Sequence, residues 1–236
     1  MKKTIVTFLF ALPVLFLSLN VKAQTADEII DKYIAAIGGK DKWTKVTSMK
    51  INGYIEVQGI KINFIQQAVH NVGMRVDAEF QGQKVIDITT PTKGWSQNPF
   101  AGRSTLQPIS DEELQQKLDE LDLQDKFVNY AAKGSTVEFL GKDEEDGNEF
   151  YKIKLTTKNK NESVFFFDVN TYMIYKEEET VKQQGQEMKM VTKMFDYKGI
   201  PFGIKFPHKM DQMGQVFVIT SVEINPAIDE SIFKGN

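Results

Sequence analysis

The sequence has no cysteine and only two histidines, His70 and His208, among its 236 residues. Without a thiol there is no disulfide framework, no Cys-ligated zinc or iron–sulfur site and no thiol nucleophile. A cysteine-free chain also suits an oxidising compartment, where a stray thiol is a liability. The histidines lie far apart in strand-like segments, and no ligand spacing links them to carboxylates, so they read as ordinary strand residues. There is no G-x-S-x-G, P-loop, G-x-G-x-x-G or H-E-x-x-H pattern. Accordingly no catalytic residue, metal or cofactor is expected. Excess positive charge is missing too: 29 Lys+Arg against 32 Asp+Glu give a formal charge of −3, which excludes a basic nucleic-acid binder. There is also no Pro/Gly/Ser-rich linker, low-complexity tract or internal repeat. At 41% hydrophobic and 26% charged, what remains is an ordinary globular composition.

Residues 1–23 have the form of an export leader. Lys2 and Lys3 precede a mostly apolar run from Ile5 to Leu19, which is short for a spanning helix. Val21 and Ala23 supply small residues at the −3 and −1 positions of a signal-peptidase site. Cleavage after Ala23 is expected, with no lipid anchor because no cysteine follows. It removes three lysines and no acid, moving the formal charge from −3 to −6.

Residues 24–236 read as one mainly β domain with helices. Ile29, Ile30, Tyr33, Ile34 and Ile37 form a helical stripe, capped by Thr25 and stopped by Gly38-Gly39. Period-two alternation then marks strands at 49–57, 60–64, 74–80 and 85–89, with turns at Gln58-Gly59 and Gln81-Gly82. Residues 91–109, broken by Pro91, Pro99 and Pro108, read as a loop with one short strand at Trp95. Ser110 to Glu113 is a capping box. It opens a helical region in which Leu114, Leu118, Leu121, Leu123, Phe127 and Tyr130 share a face up to Gly134. Strands return to the end of the chain, with a turn at Asp146-Gly147. The count is ten or eleven antiparallel strands in a meander.

So long a twisted sheet curls, and at this width its concavity is too large for its own side chains to fill. Helices, a ligand, or both must occupy it. Met188, Met190 and Met194 share one strand face by parity, and flexible, polarizable methionine suits a surface that meets variable apolar ligands. The expected lining takes Met49, Ile51, Phe64, Met74 and Phe80 from the first strands. Trp95 and Phe100 come from the broken loop, and Leu118 and Phe127 from the helical region. Ile153, Met188, Met190 and Met194 complete it from the later strands. Glu177-Glu178-Glu179 lies in a strand, so the period of two splits it between faces.

The N-terminal stretch ADEIIDKYIAAIGGKDKW, the mid-chain STVEFLGKDEEDGNEFYKIKL and FFFDVNTYMIYK, and the ending ITSVEINPAIDESIFK resemble the LolA/LolB-like periplasmic lipoprotein- and lipid-carrier superfamily, in particular outer-membrane lipoprotein-sorting proteins. The resemblance implies an open antiparallel β-barrel. Its concave side would be covered by the N-terminal helix and a mid-chain helical lid around a hydrophobic cavity for acyl chains.

The expected function is a non-enzymatic, monomeric periplasmic carrier. It would bind acyl chains of lipoproteins or lipids for transfer to the outer membrane, with membrane-bound donor and acceptor proteins as further partners and no nucleic acid. The alternative is an accessory or interaction protein of the cell envelope with a filled barrel. A hydrolase would need two acids within reach inside the cleft. An outer-membrane barrel conflicts with Lys152 and Lys154, which alternate with Tyr151 and Ile153 and would face lipid.

Overall fold

The cap at Thr25 starts the first helix. In the computed structural model, which describes residues 25–183 and 186–235, helix α1 spans Ala26–Ala36. The expected leader lies outside the described residues. Thr25 Oγ1 accepts a hydrogen bond from the Glu28 N–H at 3.2 Å, and the Glu28 carboxylate accepts one from the Thr25 N–H at 3.3 Å. Ile29, Ile30, Tyr33 and Ile37 are buried as the stripe requires.

The helix ends against backbone. Gly38 has φ +114°, and a Cβ there would lie 2.5 Å from the Gly203 carbonyl oxygen and 2.8 Å from Ile204 Cα. The neighbouring Ile37 carbonyl accepts from the Lys205 N–H at 2.8 Å, and from the indole N–H of Trp43 in helix α2 (Lys40–Trp43) at 3.2 Å. Gly38→Ala is therefore expected to lower stability by about 3 kcal/mol, combining backbone strain with overpacking. At Gly39, φ is +92° and no atom lies within 4 Å of a built Cβ, so Gly39→Ala should cost about 1 kcal/mol. Urea midpoints of the two variants check the contrast.

Thirteen strands form one antiparallel sheet. The first six are β1 (Ser48–Val57), β2 (Ile60–Val69), β3 (Gly73–Phe80), β4 (Gln83–Thr89), β5 (Gly94–Asn98) and β6 (Arg103–Pro108). Helix α3 (Asp111–Lys117) and a 3₁₀ turn at Leu118–Leu121 follow. The remainder are β7 (Thr136–Glu145), β8 (Asn148–Thr156), β9 (Glu162–Asp168), β10 (Ile174–Gln183), β11 (Gln186–Gly199), β12 (Lys205–Gln212) and β13 (Gln215–Ile224). The expected turns Gln58-Gly59, Gln81-Gly82 and Asp146-Gly147 are two-residue hairpins with positive φ at both positions, the twist that suits paired strands.

The thirteen strands exceed the expected ten or eleven, in part because residues 91–109 hold two strands rather than one. Pro99 sits in the tight turn between them and Pro108 ends the edge strand, where a missing N–H costs no ladder bond. The helical region is shorter than its hydrophobic spacing suggests. After Leu121 the chain runs in turns, with Asp125 and Asn129 at φ +62° and +56°. The Asp125 carboxylate accepts from the Phe127 N–H at 2.9 Å, a local bond that competes with helix. Leu123 and Phe127 are buried all the same.

The sheet is also not a single meander. Its order is β6-β5-β4-β3-β2-β1-β13-β12-β11-β10-β9-β8-β7. Two meanders meet where β1 pairs with β13, from Met49 opposite Ile224 to Glu56 opposite Val216. The edges are β6 and β7, unpaired with each other, and the α3 segment joins them across the concave face. The main core lies on that face between the sheet, α1 and the segment 118–130. A smaller cluster of Ile86, Ile88 and Phe233 covers part of the convex face.

Candidate functional site

The strap from α3 to Gly134 closes the concave face from above, and polar bonds fix it to both arms of the sheet. Arg103 on β6 meets Glu113 at 2.8 Å, and Asp87 on β4 meets Lys117 at 3.3 Å. On the opposite arm the Asp119 carboxylate accepts from Thr157 at 2.7 Å and from Asn159 and Asn161 at 2.6 Å each. His70 Nδ1 accepts from the Leu123 N–H at 3.2 Å. That histidine is thus a strap contact, and burial lowers its pKa against the pull of Asp122.

Beneath the strap the trough holds three compartments of about 270, 390 and 510 Å³, and Glu120 and Met210 border all three. The first is walled by Met49, Ile51, Met74, Phe127 and Met194 among others. The second adds Phe64 and Phe217, and the third Val181, Met188 and Met190. Eight of the expected lining residues are therefore brought together: Met49, Ile51, Phe64, Met74, Phe127, Met188, Met190 and Met194.

Five are not wall residues of these compartments. Ile153 faces the right way but is covered completely in the core, and Leu118 packs into the same core from the strap. Phe80 lies at the end of β3, where its ring meets Phe100 at 5.4 Å, and Phe100 is 55% exposed. Trp95 pairs with Ile88 and so faces the convex side, against the Ile86–Ile88–Phe233 cluster. Parity from Asp87, which faces the strap, places Trp95 outside; its aromatic character alone does not locate it.

The trough also holds a polar cluster. Glu177 and Glu179, two apart on β10, share the inner face. Glu178 points out to Lys176 at 3.3 Å and Lys189 at 2.7 Å, the split that strand parity requires. Lys126 from the strap sits between the inner pair, 2.5 Å from Glu177 and 3.4 Å from Glu179. Ser163 donates to Glu179 at 3.3 Å. Two acids face one base, so below about pH 7 one carboxyl holds a proton. Burial, opposed by Lys126 and aided by Glu179, pushes Glu177 up to about 7. Burial pushes Glu179 up as well, but the Lys126 charge and hydrogen bonds from Glu177, Lys126 and Ser163 together outweigh it and hold its pKa below the usual range. The Lys126 ammonium loses water as well, and both carboxylates more than compensate, raising its pKa. Two acids are thus within reach in the cleft. However, a glycosidase-type pair flanks its substrate, and here a lysine ammonium occupies that place. Sequence reasoning missed the cluster because Lys126 reaches it from a segment 51 positions away.

Among the described residues no helix is long and apolar enough to cross a membrane, and no group of three or more His, Cys, Asp or Glu is placed to hold a metal ion. No protein-family model matches the sequence, and no curated protein matches it. Solved structures do resemble the fold. A LolA superfamily protein from Nitrosomonas europaea superposes with a TM-score of 0.56 at 13% identity, over 90% of this chain and 98% of that one. A DUF1329 family protein from Desulfovibrio piger gives 0.56 at 12% identity over 90% and 98%. A domain from Vibrio parahaemolyticus named for outer membrane lipoprotein sorting gives 0.52 at 13% identity over 87% and 94%. An open antiparallel sheet, strapped across its concave side by a helix and shared over nearly the whole length with these proteins, gives the chain a LolA-like fold.

Proposed function

We propose that the protein is a periplasmic carrier that shelters acyl chains of lipoproteins or lipids beneath the strap for transfer to the outer membrane. The observation that carries this reading is the unfilled, methionine-rich trough between strap and sheet. In this reading residues 1–23 are removed on export and residues 24–236 act as one monomeric carrier domain. Donor and acceptor proteins at the membranes load and empty it. Each methylene moved from water into the trough contributes about 0.8 kcal/mol, so one long chain supplies a useful affinity. Release requires the strap to lift. Its α3 end is held by a single buried side chain, Leu114, and by half-exposed ion pairs, Arg103–Glu113 and Lys117–Asp87, which are individually weak. Its far end is anchored by buried Leu121, Leu123 and Phe127. Lifting therefore starts at α3.

Native mass spectrometry of the protein from its own periplasm, followed by lipid extraction, is expected to find a bound acyl lipid. The purified chain should bind the neutral apolar dye N-phenyl-1-naphthylamine, and Met210→Trp, which fills the shared wall, should weaken that binding about tenfold or more. A lipid-free mass together with no dye binding overturns the carrier and favours the accessory protein.

A further inference from the structure

The trough has one closed end and one open end. Neighbouring strands are antiparallel throughout the sheet, so alternate connections turn at the same end. Glu56 of β1 lies opposite Val216 of β13, and Thr192 of β11 opposite Gln212 of β12. The turns at Gln58-Gly59, Gln81-Gly82 and Met213-Gly214 therefore gather at one rim, and the start of β11 joins them. At the opposite end α1 and α2 stop the trough, with Ile37, Trp43 and Ile204 all buried. The compartments follow the same axis. That of about 270 Å³ is innermost, against Tyr33 of α1, Trp43 of α2 and Met49 of β1. That of about 390 Å³ continues it outward: the two share Ile51, Met74 and Met210, and the second reaches Ile55 and Phe217 near the rim. The third reaches the rim at Val181 and Met188, but Lys117, Asp119, Asn161 and Ser163 make much of its wall polar.

The rim is uncovered. Ile60, Met188 and Met213 are 49%, 40% and 65% exposed. Strand parity puts Ile60 on the face of Phe64 and Met188 on the face of Met190, so both prolong the apolar lining outward. Glu120, on the strap above this opening, is exposed and borders all three compartments, so water reaches the trough here. Helix α3, where the strap lifts, borders the third compartment through Glu113 and Lys117. At the blind end, Asp125 and Glu177 are already engaged with Tyr33 and Lys126. A polar group carried there loses its water and gains little in return, whereas a methyl terminus loses nothing. We propose that cargo enters end-on at this rim, methyl terminus first. Its acyl chain runs through the two inner compartments to Tyr33, Trp43 and Met49, and its polar part stays at the rim. This rests on the carrier reading and gives the class of cargo: an amphiphile with a free acyl terminus and a polar part of unrestricted size. A chain that is polar at both ends is rejected.

Displacement of N-phenyl-1-naphthylamine from the whole mature protein at neutral pH tests this, with competitors below their micelle concentrations. Hexadecanedioate, which carries a second carboxylate where palmitate has its methyl group, is expected to need concentrations about tenfold or more above those of palmitate. Palmitate joined through its carboxyl to a polyethylene glycol chain should stay within about threefold of palmitate itself. Photolabelling then reads the direction on the unmutated protein. A palmitate with a diazirine near its methyl terminus should label peptides holding Tyr33, Trp43 or Met49. One with the diazirine near its carboxylate should label peptides holding Ile60, Met188 or Met213. Equal displacement by palmitate and hexadecanedioate, or methyl-end labelling at the rim, overturns the end-on direction while leaving the carrier standing. Failure of the dye and of palmitate to bind overturns the carrier itself.

Discussion

Phe127→Ala is expected to lower the unfolding free energy by about 3–5 kcal/mol, the usual cost of emptying a buried phenylalanine site. For a chain of this length that corresponds to a fall in Tm of about 10 °C. The side chain is 1% exposed. Its ring meets those of Phe165, Phe167 and Tyr33 near edge-on, at centroid distances of 4.8, 5.3 and 5.8 Å. Such contacts add to simple area burial. The position matters as much as the size. Phe127 belongs to the irregular part of the strap, which has no strand ladder to hold it, so the ring pins that segment to α1 and β9. The variant should therefore show faster hydrogen exchange in residues 118–134 as well as lower stability. Phe100→Ala, at a 55% exposed position, should stay within about 0.5 kcal/mol of the parent. Equal midpoints for the two variants would remove Phe127 as the pin.

Lys126→Met keeps the length of the side chain and removes its charge. It is expected to cost about 2–3 kcal/mol at pH 8, below the full penalty for breaking a buried pair because 36% of the lysine surface stays open. The sign with pH follows from Glu177. Its pKa of about 7 in the folded protein stands above its ordinary value of 4.5. Between those two pH values the folded state holds a proton that the unfolded state lacks, so this group lowers stability as pH rises through the window. Removing the ammonium makes ionisation of both carboxyls harder still and steepens that decline. The deficit of Lys126→Met should thus be small near pH 5 and largest near pH 8. Adding Glu177→Gln should recover much of it. Chemical denaturation of the single and double variants across that range checks both statements, and a deficit independent of pH would refute them.

Much of the sheet could be read from the sequence because period-two patterning and tight-turn chemistry are local. Thr25, Ser110, Gln58-Gly59 and Asp146-Gly147 each determine their own neighbourhood, whatever the rest of the chain does. The errors arose where a local pattern has two physical solutions. Prolines at 99 and 108 resemble loop punctuation, yet both are tolerated in a turn and at the end of an edge strand. The spacing of Leu123, Phe127 and Tyr130 suits a helix, but an Asp125 side-chain bond to the backbone yields turns that bury the leucine and the phenylalanine. In the trough, parity assigned the faces of Met188, Met190 and Met194, whereas residue type alone misplaced Trp95 and Phe100. The polar cluster was out of reach, since Lys126 meets Glu177 and Glu179 only through the tertiary path of the strap.

The pairing of β1 with β13 has a consequence for how the protein is made. The Thr47 N–H donates to Asn225 Oδ1 at 2.8 Å across 178 positions, so the seam at the middle of the sheet forms only once β13 has emerged. Each meander can assemble from neighbours as it emerges, but closing so long a loop is entropically slow. Until the final strand arrives, β1 and β12 both present open, hydrogen-bonding rims that invite pairing with other chains. Biogenesis is therefore most exposed to aggregation just before β13 joins β1 and β12. Loss of the C-terminal strand would split the trough along its centre line rather than trim one edge.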